Sequence, residues 1–185
     1  MNHKSIVNIN SLQKGRNNMS KKNILSKISK MSEEELINLA CSTSDVEILN
    51  NLAENENCDV RWAVAENENS PVEILSVLAQ DEDIYVRWEV ARNKNTSIEF
   101  ITVLAQDEHW SVRERIALNE STSAELLAVL AKDVDIDVRY AVAENKNTSV
   151  ETLVFLSKDN NEWVSKVAND ALKERKKKGK IRIER

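Results

Sequence analysis

The sequence predicts an all-α fold, an α-solenoid of about five two-helix repeats, and three observations lead to this prediction. Only two glycines and one proline occur among 185 residues, and 41% of the residues are hydrophobic, a composition typical of helices. The chain also repeats itself every 26 residues without insertion. Within each repeat, apolar residues recur at helical spacing.

The 26-residue period is visible in two apolar columns that run through five units. These columns are Val60, Val86, Val112, Val138 and Val164, and Leu52, Leu78, Leu104, Leu130 and Leu156. The units cover residues 45–172, and a degenerate capping half-repeat precedes them at 31–44. Because one unit cannot bury its apolar face alone, we expect neighbouring units to stack into a continuous core.

Each unit opens with Ser/Thr-x-x-Glu, the signature of a helix-capping box. We therefore expect the hydroxyl residue to be the N-cap of the first helix and the glutamate to be its N3 residue. The predicted N-caps are Ser44, Ser70, Thr96, Thr122 and Thr148. Pro71 would then occupy N1, where its missing N–H costs nothing. Capping explains the glutamates better than an array of catalytic carboxylates does.

The second helix of each unit follows a polar turn and ends at an asparagine. Asp83 and Asp135 are predicted N-caps, and His109 occupies the same turn position. The helix buries valines at i,i+4 spacing, for example Val60 and Val64. Four asparagines are predicted to end these helices in the left-handed C-cap conformation: Asn67, Asn93, Asn119 and Asn145.

Charge is distributed unevenly along the chain. Residues 1–30 carry seven Lys/Arg and no Asp/Glu, residues 31–170 carry 11 against 29, and residues 171–185 carry eight against two. We therefore predict a basic N-terminal extension at 1–30 and a basic tail at 173–185, on either side of an acidic body. The chain has no signal-peptide pattern and no apolar run of about 20 residues, which favours a cytoplasmic protein without a membrane span.

The units DEDIYVRWEVARNKNTSIEFITVLAQD and DVDIDVRYAVAENKNTSVETLVFLSKD resemble the leucine-rich repeat variant family. The resemblance implies a right-handed superhelix in which one helix of each pair is wound partly as 3₁₀, and it implies little about function. Only Pro71 keeps the family's proline after the hydroxyl residue. Some members hold an iron–sulfur cluster in a cysteine-rich segment, but this chain has only Cys41 and Cys58, so we expect free thiols and no cofactor or metal.

One arginine recurs in each of four second helices: Arg61, Arg87, Arg113 and Arg139. As a binding site, this column would present a row of guanidinium forks to phosphate or carboxylate groups of a partner. As a structural feature, it would be a ladder of bonds to acidic side chains or carbonyls of the adjacent unit. Arg92 and Arg115 fall outside the column and are expected to face solvent.

An aromatic column follows the arginines and consists of Trp62, Trp88 and Tyr140. At roughly 100° per residue, Trp62 lies about 200° from the buried Val60, so we expect it to face outward or along the groove of the solenoid. Such a column suits a peptide partner, because Trp and Tyr dominate binding hot spots. Packing against the adjacent unit is the alternative. Trp110 and Trp163 lie in other columns and are interpreted as packing residues.

These patterns predict a non-enzymatic, monomeric scaffold that binds an unidentified protein or peptide on its concave face. The predicted contacts are Trp62, Trp88, Tyr140, Arg61, Arg87, Arg113 and Arg139. No catalytic set can be assembled from the sequence. The alternative function is nucleic-acid binding through the basic tails and the arginine column, although the acidic body opposes it. The high asparagine and lysine content points to an AT-rich bacterial genome.

Overall fold

The computed structural model describes residues 21–177 and 179, and these residues form 12 helices and no strand. The chain divides into two compact units, residues 1–95 and 96–185. Most of the predicted N-terminal extension, residues 1–20, lies outside the described residues, as do residue 178 and residues 180–185 of the C-terminal tail.

Unit 1 is built from pairs of short helices packed in sequence order. Its helices are α1 (Lys21–Ile28), α2 (Glu33–Ser42), α3 (Val46–Ala53), α4 (Cys58–Glu66), α5 (Val72–Leu78) and α6 (Ile84–Arg92). The second helices stack side by side, because α2 packs on α4 and α4 packs on α6. Helix α2 therefore takes the place of a second helix in the half-repeat that precedes the full ones.

Unit 2 repeats the same arrangement with three helix pairs. Its helices are α7 (Ile98–Leu104), α8 (Trp110–Leu118), α9 (Ala124–Leu130), α10 (Ile136–Glu144), α11 (Val150–Leu156) and α12 (Glu162–Lys177). Helix α10 packs between α8 and α12, and α12 also packs on α11. Helix pairs stacked in this way are the architecture of an α-solenoid, which confirms the predicted fold class.

The two predicted apolar columns form the hydrophobic cores of unit 1 and unit 2. All five valines of the column are fully buried, and each of the five leucines is at most 3% exposed. Full burial of one such side chain contributes about 1.5–3 kcal/mol, an upper estimate because unfolded chains already bury some surface. Helices of seven to nine residues are marginal in water, so this shared core is what keeps them folded.

The first helices begin one residue later than the capping boxes predict. Ser97, Ser123 and Ser149 are the N-caps in unit 2, and Pro71 is an N-cap rather than an N1 residue. The Ser123 hydroxyl accepts from the Leu126 amide at 3.2 Å. The glutamates therefore stand at N2, and the predicted box is wrong. A complete capping box occurs at α2, between Ser32 and Glu35.

Three of the five residues predicted as N-caps close the preceding second helix instead. Hydroxyl groups of Ser70, Thr122 and Thr148 donate to the carbonyls of Val64, Ile116 and Val142 at 2.6, 2.6 and 2.5 Å. All three hydroxyl residues are buried. A carbonyl at the end of a helix has no intrahelical partner, so a buried hydroxyl that reaches it removes a desolvation cost.

The four asparagines are C-caps as predicted, but their backbone is extended rather than left-handed, with φ between −64° and −67°. The side chains of three of them bind the preceding repeat. Asn67 Nδ2 donates to the Ala40 and Thr43 carbonyls at 2.6 and 2.8 Å. Asn93 Nδ2 donates in the same way to Ala65 at 2.7 Å, and Asn145 Nδ2 to Ala117 at 2.7 Å. These asparagines therefore cross-link consecutive second helices within each unit.

The second-helix N-caps agree with the sequence. Asp83 caps α6 and Asp135 caps α10, while His109 caps α8 by accepting from the Ser111 amide. The partial 3₁₀ winding implied by the family resemblance is limited to helix ends in the described residues. For example, the Ile74 amide donates to Pro71 and the Gln80 amide to Val77, each at 3.1 Å.

Candidate binding surface

The arginine column lies against the loops of the next repeat. Arg61 on α4 binds Asp81, in the loop between α5 and α6, through Nε at 2.6 Å and Nη2 at 2.8 Å. Its Nη1 donates to the carbonyls of Asn55 and Glu56 at 2.8 and 3.0 Å. Arg61 therefore joins its own loop to that of the following repeat.

The same geometry recurs in unit 2. Arg113 binds Asp133 through Nε and Nη2 at 2.7 and 2.8 Å, and Arg139 binds Asp159 at 2.7 and 3.2 Å. In unit 1, the next arginine after Arg61 is Arg87, and its Nη1 donates to the Asp81 carbonyl at 2.9 Å. Asp81, Asp133 and Asp159 thus each accept an arginine fork on the carboxylate, and the carbonyls of Asp81 and Asp133 also accept from the next arginine. This arrangement is the ladder of bonds to acidic side chains of the adjacent repeat, the structural alternative predicted from the sequence.

The ladder shifts the ionisation of both partners. The hydrogen bond to Asp133 raises the already high pKa of Arg113. The Arg139 guanidinium lowers the pKa of Asp159. Burial alone would raise the pKa of Asp133, but the hydrogen bonds from Arg113 and from the Asp135 amide, with the nearby guanidinium charges, lower it overall. The carboxylates are therefore held in their charged form.

The predicted aromatic column is half-buried. Trp62 and Trp88 lie on α4 and α6 of unit 1, and Tyr140 lies on α10 of unit 2. The Glu144 carboxylate raises the pKa of Tyr140, which it contacts one helical turn further along. All three aromatic side chains are therefore partly accessible to solvent.

Two other aromatic side chains on second helices are more exposed than this column, and the sequence did not predict their position as a binding surface. Tyr85 is 70% exposed and Trp163 is 65% exposed. Trp163 also has the Lys166 ammonium 5.8 Å from its ring centroid, so it is not the packing residue that its column suggested. The available signal was helical spacing, since Tyr85 precedes Trp88 by three residues.

Within each unit, we call the outward residues of the second helices its second-helix strip. The strip of unit 1 consists of Trp62, Glu66, Tyr85, Trp88 and Arg92, and that of unit 2 consists of Glu114, Tyr140, Glu144, Trp163 and Lys166. Arg92 is exposed as predicted, whereas the Arg115 side chain is half-buried and its Nε is shielded from solvent.

A pocket of about 310 Å³ opens beside the strip in unit 1, at the C-terminal ends of α4 and α6. Its lining residues are Glu66, Glu68, Glu89, Arg92, Asn93 and Lys94. Glu89 is only 2% exposed. Its Oε1 accepts from Arg92 Nη1 at 2.8 Å, and no donor in the part of the chain that the structure describes reaches its Oε2.

Unit 2 has a pocket at the equivalent place, between the ends of α8 and α10. It is lined by Leu118, Glu120, Glu144, Asn145, Lys146 and Asn147. All of these residues except Asn147 correspond to positions of the unit 1 pocket through the 26-residue repeat, but no buried carboxylate lines this second pocket.

The cysteines are free thiols, as predicted. Cys41 Sγ donates to Glu66 Oε2 at 3.7 Å. Within residues 21–177, no group of three or more His, Cys, Asp and Glu side chains is arranged to hold a metal ion. None of the helices in the same range combines the length and the apolar character needed to cross a bilayer.

No family model and no curated protein matches the chain. Among solved structures, it is similar to a leucine-rich repeat variant described as having a novel repetitive structural motif. The two share 22% sequence identity and a TM-score of 0.68, over 89% of this chain and 71% of the other. The similarity shows the fold, and it confirms the resemblance inferred from the repeated Val-Arg and Asn-x-x-Thr pattern.

Proposed function

We propose that this protein is a non-enzymatic repeat scaffold that binds a protein or peptide through the second-helix strip. The observation that carries the proposal is the set of partly or largely exposed aromatic side chains on the second helices, which are Trp62, Tyr85, Trp88, Tyr140 and Trp163. Large rings held on packed helices lose little conformational entropy on binding, which is why they dominate hot spots.

The arginine column was predicted as a second set of contacts, and we now give it a supporting role. Arg61, Arg113 and Arg139 each use their fork on an aspartate and Nη1 on two carbonyls. A partner would have to displace buried hydrogen bonds to reach them. The ladder instead fixes the spacing of the second helices on which the aromatic residues stand.

The experiment starts from a partner identified by nuclease-treated pull-down, purified and titrated by calorimetry. Trp62→Ala/Trp88→Ala should weaken binding by about 2 kcal/mol or more, roughly 30-fold. Trp110→Ala is the matched control, since Trp110 is partly exposed but stacks on His109 outside the strip. Unchanged affinity in the double variant, with wild-type circular dichroism, would refute the aromatic contacts.

Nucleic-acid binding through the basic tail is the alternative function. Lys173 pairs with Asp170 at 2.9 Å, and Arg175 Nη2 donates to the Lys146 carbonyl at 3.1 Å, so part of the tail is tied to unit 2. This function predicts affinity that falls steeply with salt and disappears when the chain ends at residue 172. Fluorescence anisotropy with mixed DNA and RNA at 50 and 200 mM salt distinguishes the two functions.

A further inference from the structure

The pocket of unit 1 contains a buried acceptor without a donor. Glu89 is held on α6 with one carboxylate oxygen on Arg92 and the other, Oε2, unpartnered within the described residues. Buried polar atoms are nearly always paired, and an unpaired one loses the free energy of a hydrogen bond. A carboxylate gains most from a charged donor, because such bonds are about twice as strong as neutral ones.

The pocket also has a surplus of negative charge. Three of its lining side chains are acidic and two are basic. Glu68 is paired with Lys94 at 2.8 Å, and Glu89 is paired with Arg92. Glu66 accepts the thiol of Cys41 at 3.7 Å; among the described residues it has no salt-bridge partner within 4 Å, although its charge adds to that of Glu89 in raising the pKa of Arg92. One carboxylate oxygen of Glu89 and the Glu66 carboxylate therefore remain for a cation.

The second-helix strip of unit 1 borders this pocket, because Glu66 and Arg92 belong to both. Glu66 lies one turn beyond Trp62 on α4, and Arg92 lies one turn beyond Trp88 on α6, so each pair shares a helix face. A cationic side chain that passes over an indole face gains a cation–π contact before it reaches the carboxylates. The Arg92 side chain is 53% exposed, and its Nη1 lies 2.8 Å from Oε1 of Glu89, so Arg92 is the residue that an incoming cation would displace from this carboxylate.

We infer that the pocket binds an arginine side chain of the partner, with the guanidinium donating to Oε2 of Glu89 and to Glu66. Arginine suits the site better than lysine because its planar fork can serve two carboxylates at once. The acidic body, with 29 Asp/Glu against 11 Lys/Arg over residues 31–170, attracts such a basic segment. This inference rests on the proposed function and names the chemistry of the partner.

The test uses N-acetyl-arginine methylamide as the probe, titrated into the ¹⁵N-labelled full chain at 150 mM salt. The citrulline analogue, which has nearly the same shape without the charge, is titrated in parallel on wild-type protein. We expect shifts at the amides of Glu89, Arg92 and Asn93, and binding at least about tenfold weaker for citrulline. This comparison needs no variant, so it does not depend on whether a mutated chain folds.

Two variants then locate the interaction. Glu89→Gln should weaken binding of the arginine probe about tenfold or more. Glu120→Gln should leave it unchanged, because it removes one charge from the equivalent pocket of unit 2, where no buried carboxylate is present. Arg92→Ala should tighten binding, since the internal competitor for Glu89 is gone.

Equal binding of arginine and citrulline, no shift at these amides, or shifts spread evenly over both pockets would overturn the inference. Equal losses in Glu89→Gln and Glu120→Gln would also overturn it, as they would indicate attraction to any acidic surface. The proposed function fails separately, if the purified partner keeps wild-type affinity in Trp62→Ala/Trp88→Ala. If the purified partner loses affinity in Trp62→Ala/Trp88→Ala but not in Glu89→Gln, the strip binds the partner and the arginine pocket is refuted.

Discussion

Arg113 and Asp133 lie in adjacent repeats of unit 2 and form a two-pronged ion pair, with Nε–Oδ2 at 2.7 Å and Nη2–Oδ1 at 2.8 Å. Their side chains are only 13% and 8% exposed. Asp133 Oδ1 also accepts from the Asp135 amide at 2.9 Å, which shapes the turn before α10. The pair thus links helix α8 to the loop that positions the next second helix.

Arg113→Lys should destabilise the protein by about 2 kcal/mol. Lysine keeps the charge but cannot serve both carboxylate oxygens and the two loop carbonyls, so buried acceptors lose their partners. Urea denaturation should show a lower midpoint with an unchanged slope, since the surface exposed on unfolding stays the same.

Lys94→Gln is the control for this experiment, because it breaks the Lys94–Glu68 pair on the surface. Those side chains are 66% and 76% exposed, and water screens such a pair. We expect no measurable change in the urea midpoint. Equal effects of Lys94→Gln and Arg113→Lys would mean that burial of the ladder has no energetic weight.

The ladder also predicts how stability depends on pH. Arg139 lowers the pKa of Asp159, and Arg113 with its neighbours lowers that of Asp133. A carboxyl group whose pKa is lower in the folded state stabilises the fold at pH above its unfolded pKa, about 3.9. This stabilisation is lost as the pH falls through the lower, folded pKa. The stabilisation by these two carboxylates should therefore be constant from pH 7 to 5 and fall from about pH 4 downward, which urea midpoints measure.

Asp159→Asn isolates one of these groups. The variant should be less stable than wild type at pH 7, because Arg139 loses its charged partner, and its stability should decline less between pH 5 and pH 3. If the two proteins lose stability in parallel over that range, Asp159 does not contribute to the acid sensitivity.

The sequence predicted the core because hydrophobic periodicity has one structural solution. Val60 and Leu52 recur with fixed spacing, and a 26-residue unit of two short helices can bury both columns only by stacking. The cap positions were less predictable. Thr122 and Ser123 both carry hydroxyl groups, and only the packing of α9 on α8 decides that Thr122 binds the Ile116 carbonyl while Ser123 caps α9.

The candidate site was predictable only in part. Helical geometry predicted that Trp62 faces outward, and in the structure it is half-buried. One sequence column could not distinguish an arginine ladder from an arginine surface, because both need the same residue at the same spacing. Glu89 gave no signal in the sequence. Its position is alanine in two other repeats, at Ala63 and Ala141. Such an isolated departure from the repeat becomes interpretable only when the burial of the residue is known.

Asn145→Ala should destabilise unit 2 by about 2–3 kcal/mol. Asn145 Nδ2 donates to the Ala117 and Asn119 carbonyls at 2.7 and 3.2 Å, and its Oδ1 accepts from the Asn147 amide at 2.8 Å. Alanine leaves these groups unsatisfied at a partly closed site. Urea denaturation measures the loss.

Asn145→Asp is a sharper version of the same test. An ionised aspartate would face two carbonyl oxygens and repel them, whereas a protonated one can donate one hydrogen bond. The deficit in stability relative to wild type should therefore be larger at pH 7 than at pH 4. Asn160→Asp, at an exposed loop position, should show no such change. A deficit for Asn145→Asp that is independent of pH would argue against the carbonyl contacts.

Cys41 should react slowly with iodoacetamide although the residue is exposed. Partial burial of the thiol raises its pKa, and the charge and hydrogen bond of Glu66 raise it further. Because the thiolate is the reactive form, the pH–rate profile should lie at higher pH than that of a cysteine in an unfolded peptide. The measurement is made in a Cys58→Ser background so that one thiol reacts.

Glu66→Gln separates the two causes. Removing the carboxylate charge should move the profile of Cys41 part of the way toward the peptide value, since burial remains. Glu73→Gln removes an exposed charge from a different helix, α5, and should leave the profile in place. An unshifted profile in Glu66→Gln would mean that the carboxylate is turned away from Cys41 in solution. The same carboxylate is the second ligand of the proposed arginine pocket, so arginine binding should, by the same charge argument, lower the pKa of Cys41 and speed its alkylation.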